Sequence, residues 1–403
     1  MTKRIGPGQD VRVGVVGLSA GGGWAADGHL PALATLDRYR VTALCASSAE
    51  SAAAAGDRYG VPHRFSSAAE LARCDEVDLV VIAVQAAKHR AALLPVIEAG
   101  KDVYCEWPLA VSGAEGSALA AAARERGVRA NVGLQARSAP VIRYLRDLIR
   151  EGWIGEVVST TMVASGMAWG NRTDPRANYL LDRDGGSTML AIPFGHAVDA
   201  LTMCLGEFST VGAVLANRRP IVQDSASGTS VPKTTDDQVA VHGVLAGGAV
   251  ASVHFRGGRS RSTNFHWEIN GTDGDLILSG NHGHLQLAPV TLTGARGSDA
   301  EPVELPVPAE YHLVPQFCDR PGDPAANLAN AYALLLENID TGTAQLPDFD
   351  HGVRRHRLLD AIVESAHTGQ RRVLRDGPRD NGHRGEGSAD GIAGSTANRS
   401  VDN

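Results

Sequence analysis

Val11–Leu30 reads VRVGVVGLSAGGGWAADGHL. The β-branched and small residues from Val11 to Val16 predict a buried parallel strand, Gly17 breaks it, and an alanine-rich helix starts at Trp24. A strand, a glycine turn and a helix in that order set unpaired helix amides, at the positive end of the helix dipole, against a pyrophosphate. Gly17, Ser19 and Gly22 spell G-x-S-x-x-G, so serine stands where a dinucleotide fingerprint has its middle glycine. Read as a cofactor site, the segment offers Gly17, Leu18, Ser19, Ala20, Gly22, Gly23 and Trp24; read blandly, it is a tight turn.

Outward from this turn, His29-Leu30-Pro31 interrupts the helix before it resumes to Leu36. Arg40–Ala46 is a second apolar strand, and no acid follows it until Glu50. Proteins that hold the free ribose 2′-hydroxyl of NAD place a carboxylate at this strand end. Its absence removes repulsion against a 2′-phosphate, and Ser47 and Ser48 can donate to one, which tilts the cofactor from NAD towards NADP. Alternatively, Ser47 caps the helix that begins near Ala49. Asp78–Val84, Asp102–Cys105 and Arg129–Leu134 are further apolar strands, separated by helical stretches. The alternation predicts an α/β chain whose residues 11–136 form a doubly wound parallel sheet of the Rossmann type. Such sheets bind ligands beyond the C-terminal strand ends, which selects Val84, Gln85, His89, Glu106, Trp107 and Gln135 as cofactor contacts. The competing readings are a solvated helix start for His89, a strand-end ion pair for Glu106 and plain packing for Trp107.

The 403 residues carry 38 bases against 45 acids, a net charge of −7, with 43% hydrophobic residues. That excludes a nucleic-acid footprint, and no apolar run is long enough for a bilayer. The N-terminus, MTKRIGPGQD, lacks a signal-peptide core and reads as flexible over 1–10. Five scattered cysteines without zinc-ligand spacing read as reduced thiols of a cytoplasmic protein.

From Glu156 the pattern changes to polar-alternating strands at 156–164, 210–216, 238–245, 249–256, 264–269, 275–279 and 285–288, with hairpin signals at Gly247-Gly248 and Asp273-Gly274. Residues 137–372 therefore read as an α+β domain with a large, mostly antiparallel open sheet, and 373–403 as a disordered tail. A helix over 193–205 carries His196 and Asp199 on one face. Trp169, Asn171, Arg172, Arg176 and Tyr179 form a polar, aromatic loop suited to covering a sugar. His282 and His284 flank a glycine without a third ligand, so no metal site is expected.

These segments resemble the Gfo/Idh/MocA family of NAD(P)-dependent sugar and polyol oxidoreductases. The resemblance spans most of residues 11–372 and is carried by VGVVGLSAGGGWAADGHLPAL (13–33), the stretch from 77 to 110 ending VYCEWPLA, NVGLQARSAPVIRYLRDLIREGWIGEVVS (131–159), LLDRDGGSTMLAIPFGHAVDAL (180–201) and PDFDHGVRRHRLLDAIVESAHTG (347–369). It implies a hydride transfer between a nicotinamide and a sugar, polyol or related hydroxy or keto compound, in a homodimer or homotetramer. His196 would carry the proton, with Tyr179 able to substitute and Asp199 orienting His196 or accepting from substrate. Two departures stand out. The family's glutamate–lysine–proline signature is Glu106-Trp107-Pro108, without the lysine that polarises the substrate oxygen, and the aspartate expected before the histidine is missing from Ala191–His196. Both resemble the branch that contains the yeast galactose-regulon repressor, which implies the alternative of a catalytically weak or inactive dinucleotide-binding sensor.

Overall fold

The computed structural model describes residues 4–374 except Ala288. β1 (Val11–Val16), β2 (Tyr39–Cys45), β3 (His63–Phe65), β4 (Leu79–Ile82), β5 (Asp102–Glu106) and β6 (Ala130–Gly133) make a parallel sheet in the order β3-β2-β1-β4-β5-β6. The strand order reverses between β1 and β4, which opens a crevice at their C-terminal ends. Val11, Val13, Val15, Leu79 and Val81 bury on one face; Val16, Val80 and Ile82 bury on the other. Helices α1 (Leu30–Ala34) and α2 (Ala49–Tyr59) cover the first face, and α3 (Ala68–Ala72), α4 (His89–Glu98) and α5 (Gly113–Arg126) the second. With both faces covered, the strands read as continuous apolar runs. Ser48, Ser67 and Ser112 start their helices by accepting the amide three residues on.

Two local expectations are corrected here. The helix is not interrupted at His29: a π-helical turn, Ala25–His29, runs directly into α1. Pro31 sits in the first turn of α1, directly after that π-helical turn. Residues 4–10 are held rather than loose, since Ile5 is buried and the Gly8 amide donates to Asp340 at 3.0 Å.

The chain continues through α6 (Pro140–Arg150), β7 (Val157–Gly166), β8 (Arg172–Thr173) and α7 (Gly195–Leu205). Then follow β9 (Phe208–Ala216), β10 (Ile221–Asp224), β11 (Ser230–Pro232), β12 (Gln238–Leu245), β13 (Val250–Gly257), β14 (Phe265–Gly271), β15 (Gly274–Gly280), β16 (Val290–Arg296) and β17 (Val303–Glu304). Helices α8 (Ala326–Thr341) and α9 (Phe349–Thr368) and strand β18 (Arg372–Val373) close it. Nine strands form one open sheet in the order β17-β16-β15-β14-β7-β13-β12-β9-β18, antiparallel except for β13 on β7; β8, β10 and β11 form a small separate sheet. The expected strand at 285–288 is absent from the described residues there: Leu285–Leu287 turn, and β16 begins at Val290.

Trp267, Phe255, Leu278 and Val253 point from the large sheet into a core shared with α7 and α9. α8 returns to the first sheet, where Leu328, Tyr332 and Leu335 pack with Val13 and Leu33, so this stretch of the expected second domain completes the first core. The expected tail starts later than 373, because Val373 pairs with Thr210 and the Leu374 amide donates to Ser209; 375–403 lie outside the described residues. No helix among the described residues is long and apolar enough to cross a membrane.

Candidate active site

A cleft of about 510 Å³ lies beyond the C-terminal ends of β1, β4 and β5, closed from the other side by the Trp169–Leu180 loop, the start of α7 and the turn at His284–Leu287. Gly17, with φ +102°, forms its inner edge; a Cβ there would stand 2.5 Å from the Ala83 carbonyl oxygen and 2.8 Å from Val84. Glycine is required at this approach. Ser19 braces the loop from within. Its hydroxyl accepts the Gly21 amide at 3.1 Å, and its carbonyl accepts the Gly22 amide at 3.1 Å and the Tyr59 hydroxyl at 3.1 Å. Gly22 and Gly23 take φ +84° and +117°, and a Cβ on Gly23 would meet nothing within 4 Å. The Ala20 carbonyl accepts from the Arg58 guanidinium. Arg176, expected to cover a sugar, instead crosses from the second sheet's loop to donate to the Gly21 carbonyl at 3.3 Å. The Leu18 side chain is fully buried in the core and anchors the loop, which leaves a cofactor contact there to its backbone. Ser48, not Ser47, is the cap of α2, and neither serine lines the cleft.

Val84, Gln85, His89, Glu106, Trp107 and Gln135 all line the cleft. His89 is strapped in place: Nε2 lies 3.0 Å from the Val84 carbonyl, and Nδ1 lies 3.3 Å from the Leu109 carbonyl and 3.4 Å from the Cys105 thiol. Burial lowers its pKa, so a neutral ring ties the β4 and β5 ends together. Glu106 Oε1 sits 3.2 Å from Nε2 of the fully buried His29, whose Nδ1 lies 2.7 Å from the Tyr332 hydroxyl. His29 was legible only as part of a helix interruption; the link to Glu106 is made by folding. Trp107 donates to the Ala191 carbonyl at 2.6 Å and tilts on His356 with centroids 4.8 Å apart. It occupies space that Gly195 leaves open, since a Cβ there would fall 2.7 Å from the indole nitrogen.

From the other side come His196, Tyr179, Trp169, His284 and Gln286. His196 is buried, and burial pushes its pKa down to about 4 against the opposing pull of Asp199. Trp169 donates to the Leu180 carbonyl at 3.0 Å and stacks on His284 at 6.2 Å, forming a floor. His284 and Gln286 were not singled out as site residues, because a turn histidine and glutamine carry no signal until β15 and β16 fold them over the cleft. Tyr179 is 38% exposed, at the mouth, with its phenol pKa raised by burial of the remainder.

Asp199 does not share the cleft with His196. It is fully buried, 3.2 Å from Arg137, 2.6 Å from His351 and 3.4 Å from Arg355. Burial alone would raise its pKa, but these three partners outweigh that and hold the carboxyl well below the usual range. Its assignment to the reacting group is corrected: one turn along α7, it faces away into an ion cluster.

Among the described residues, six buried side-chain atoms lack a hydrogen-bond partner and belong to cleft-lining residues: Trp24 Nε1, Glu106 Oε1, Gln135 Oε1, His196 Nδ1, His284 Nε2 and Gln286 Oε1. Buried polar atoms are nearly always paired, so their convergence marks a place shaped for a polar ligand.

A family profile described as "Oxidoreductase family, NAD-binding Rossmann fold" matches residues 11–134, and one described as "Gal80p, C-terminal domain" matches 140–280. Dehydrogenase aclE of Aspergillus oryzae is 31% identical over 384 residues, 92% of this chain and 98% of its own length. The chain belongs to the Gfo/Idh/MocA oxidoreductase family. Other relatives within it split by role. The galactose/lactose metabolism regulatory protein GAL80 of Saccharomyces cerevisiae is 32% identical over 311 residues, 72% of each chain. A crystal structure of a super-repressor mutant of that yeast protein superposes with a TM-score of 0.81 at 26% identity, covering 90% of this chain and 98% of that one. Levoglucosan dehydrogenase of Pseudarthrobacter phenanthrenivorans is 27% identical over 293 residues, 67% of this chain and 74% of its own. A family member of this kind binds a nicotinamide cofactor; the family includes enzymes and regulators alike.

Five histidines in or near the site have depressed pKa values: His196 and His356 at about 4, His284 at about 3, and His89 and His351 in the same direction, burial being the main cause in each. In the unfolded chain a histidine titrates near 6.5, so between about pH 4 and 6.5 the unfolded state binds more protons and stability falls as the pH falls. Several kcal/mol are lost over that window, and the melting temperature drops by roughly 10 °C or more between pH 7.5 and 4.5. Calorimetry at the two pH values reads this directly; equal melting temperatures would show the rings charged in the fold.

Proposed function

We propose that this chain transfers hydride between a nicotinamide dinucleotide and a sugar, polyol or related hydroxy or keto compound. The observation that carries the reading is the convergence of unpartnered donors and acceptors on one cleft at the sheet's switch point. The amides of the glycine loop and the Arg176 guanidinium would hold the phosphates. Gln85, Glu106 and Gln135 would meet the ribose and amide, with His89 fixing the two strand ends that present them. The nicotinamide, when bound, supplies the hydride acceptor. Neutral His196 takes the hydroxyl proton on the ring nitrogen facing the cleft, a form suited to oxidising an alcohol. Tyr179 keeps its proton and donates to a substrate oxygen. Trp169 and His284 exclude water from below.

The missing acid after β2 favours NADP over NAD, and Arg58, beside the same loop, adds a cation near that end of the cleft. The open face of the large sheet exposes Val158, Val214 and Val250, which suits a homodimer or homotetramer, and five free cysteines suit the cytoplasm. A second reading, a cofactor-binding regulator without turnover, is favoured by one feature. Trp107 replaces the family lysine and spends its only donor on Ala191. Fluorescence titration with NADPH and NADH, followed by a sugar and polyol panel read at the nicotinamide absorbance band, separates them. Binding with turnover supports the enzyme, with NADPH tighter by about tenfold or more. Binding without turnover across the panel supports the regulator, and uptake of neither coenzyme overturns both.

A further inference from the structure

A second concavity, of about 760 Å³, lies outside this cleft, behind the turn that carries Trp169. Its walls are Gly170 and Asn171, Arg219, Asn281 and the β13–β14 connection, where the sequence runs Arg256-Gly-Gly-Arg-Ser-Arg-Ser262. The connection is built around Asn264, which is buried. Its amide donates to the Ser260 carbonyl at 3.0 Å, and its oxygen accepts from the Ser165 hydroxyl at 2.7 Å and the Ser260 amide at 2.9 Å. Arg256 donates to the Thr263 carbonyl at 2.7 Å. Gly170 and Gly258 touch, each leaving room for the other, so the wall is continuous with the Trp169 turn.

The charges here do not balance. The chain as a whole is acidic at −7, yet no carboxylate among the described residues lines this cavity. Lys233 and Arg219 share a single buried carboxylate, Asp237, at 3.0 and 3.9 Å. Among the described residues, the lining arginines Arg259 and Arg261 make no salt bridge, and just outside the lining Arg256 Nε is buried without a partner. Guanidinium groups are planar forks that match an oxyanion two bonds at a time, and clustered uncompensated arginines concentrate anions from solution. The side-chain amides of Asn171 and Asn281 and the hydroxyls of Ser260 and Ser262 suit an attached body that carries hydroxyl groups. The volume exceeds what a bare oxyanion fills.

We infer that this cavity binds a small phosphorylated polyol, of the sugar-phosphate class, through Arg219, Arg259 and Arg261. Isothermal titration of the full chain with glucose 6-phosphate, inorganic phosphate and glucose tests it, alongside the double variant R259A/R261A. Glucose 6-phosphate binds saturably, inorganic phosphate about tenfold more weakly, and glucose alone not at all through this site. The double variant loses about tenfold or more in glucose 6-phosphate affinity, and raising the salt weakens what remains. Its melting temperature stays within about 2 °C of the parent, because both arginines are exposed. Equal binding by parent and variant, no saturable uptake up to about 10 mM, or binding of a glutamate-rich peptide in place of glucose 6-phosphate would each overturn the assignment.

Discussion

Replacing His196 with alanine lowers kcat for oxidation of the accepted sugar or polyol by about 10²–10⁴, while the coenzyme Kd stays within about twofold. The reasoning starts from burial. A ring held at a pKa of about 4 is neutral throughout the neutral range, so its nitrogen is free to take a proton, though as a weak base, and it carries none to deliver. The parent's oxidation rate should therefore stay flat from pH 8 down to about pH 5, falling only as the ring protonates or the fold gives way. Trp107→Phe is the contrast. It removes the bond to the Ala191 carbonyl and costs about 1 kcal/mol of stability, but no proton passes through an indole, so turnover survives. Turnover that persists in His196→Ala would move the proton to another group, with Tyr179 at the cleft mouth the first to test.

Much of the first sheet was legible because its physics is local. A strand buried on both faces must be apolar at every position, as Leu79–Ile82 is, and a serine announces the start of α2, although the cap is Ser48 and not the expected Ser47. β3 was invisible because His63-Arg64-Phe65 is a half-buried edge of three residues. The return of α8 was invisible for another reason: its apolar face states that it packs, not on which sheet. The site divides the same way. Gly17 declares itself through the conformation it alone tolerates, and strand ends point to Gln85, Glu106 and Gln135 by topology. His29 beneath Glu106, Arg176 on the glycine loop and His284 over Trp169 depend on contacts between residues that lie far apart in the chain.

Asp199 shows how spacing misleads, and it carries the largest expected effect on stability. One helical turn from His196, it had the spacing of an orienting partner. The fold instead surrounds it with Arg137, His351 and Arg355, drawn from the start of the second half and from α9, so a single carboxylate joins α7 to α9 and to the segment after β6. Asp199→Asn keeps the shape and removes the charge. Arg355 retains Glu207, but Arg137 loses its carboxylate in a site with little water, and breaking such a buried cluster costs about 3–5 kcal/mol. The denaturation midpoint should fall accordingly with the m-value unchanged, and Arg137→Gln in the same chain should return part of the loss, as expected of a coupled pair. Assayed well below its melting point, Asp199→Asn should keep kcat within about tenfold, because no proton moves through it. Parent-like stability combined with a loss of kcat of about 10²-fold or more would reverse the assignment and make Asp199 the group that orients His196.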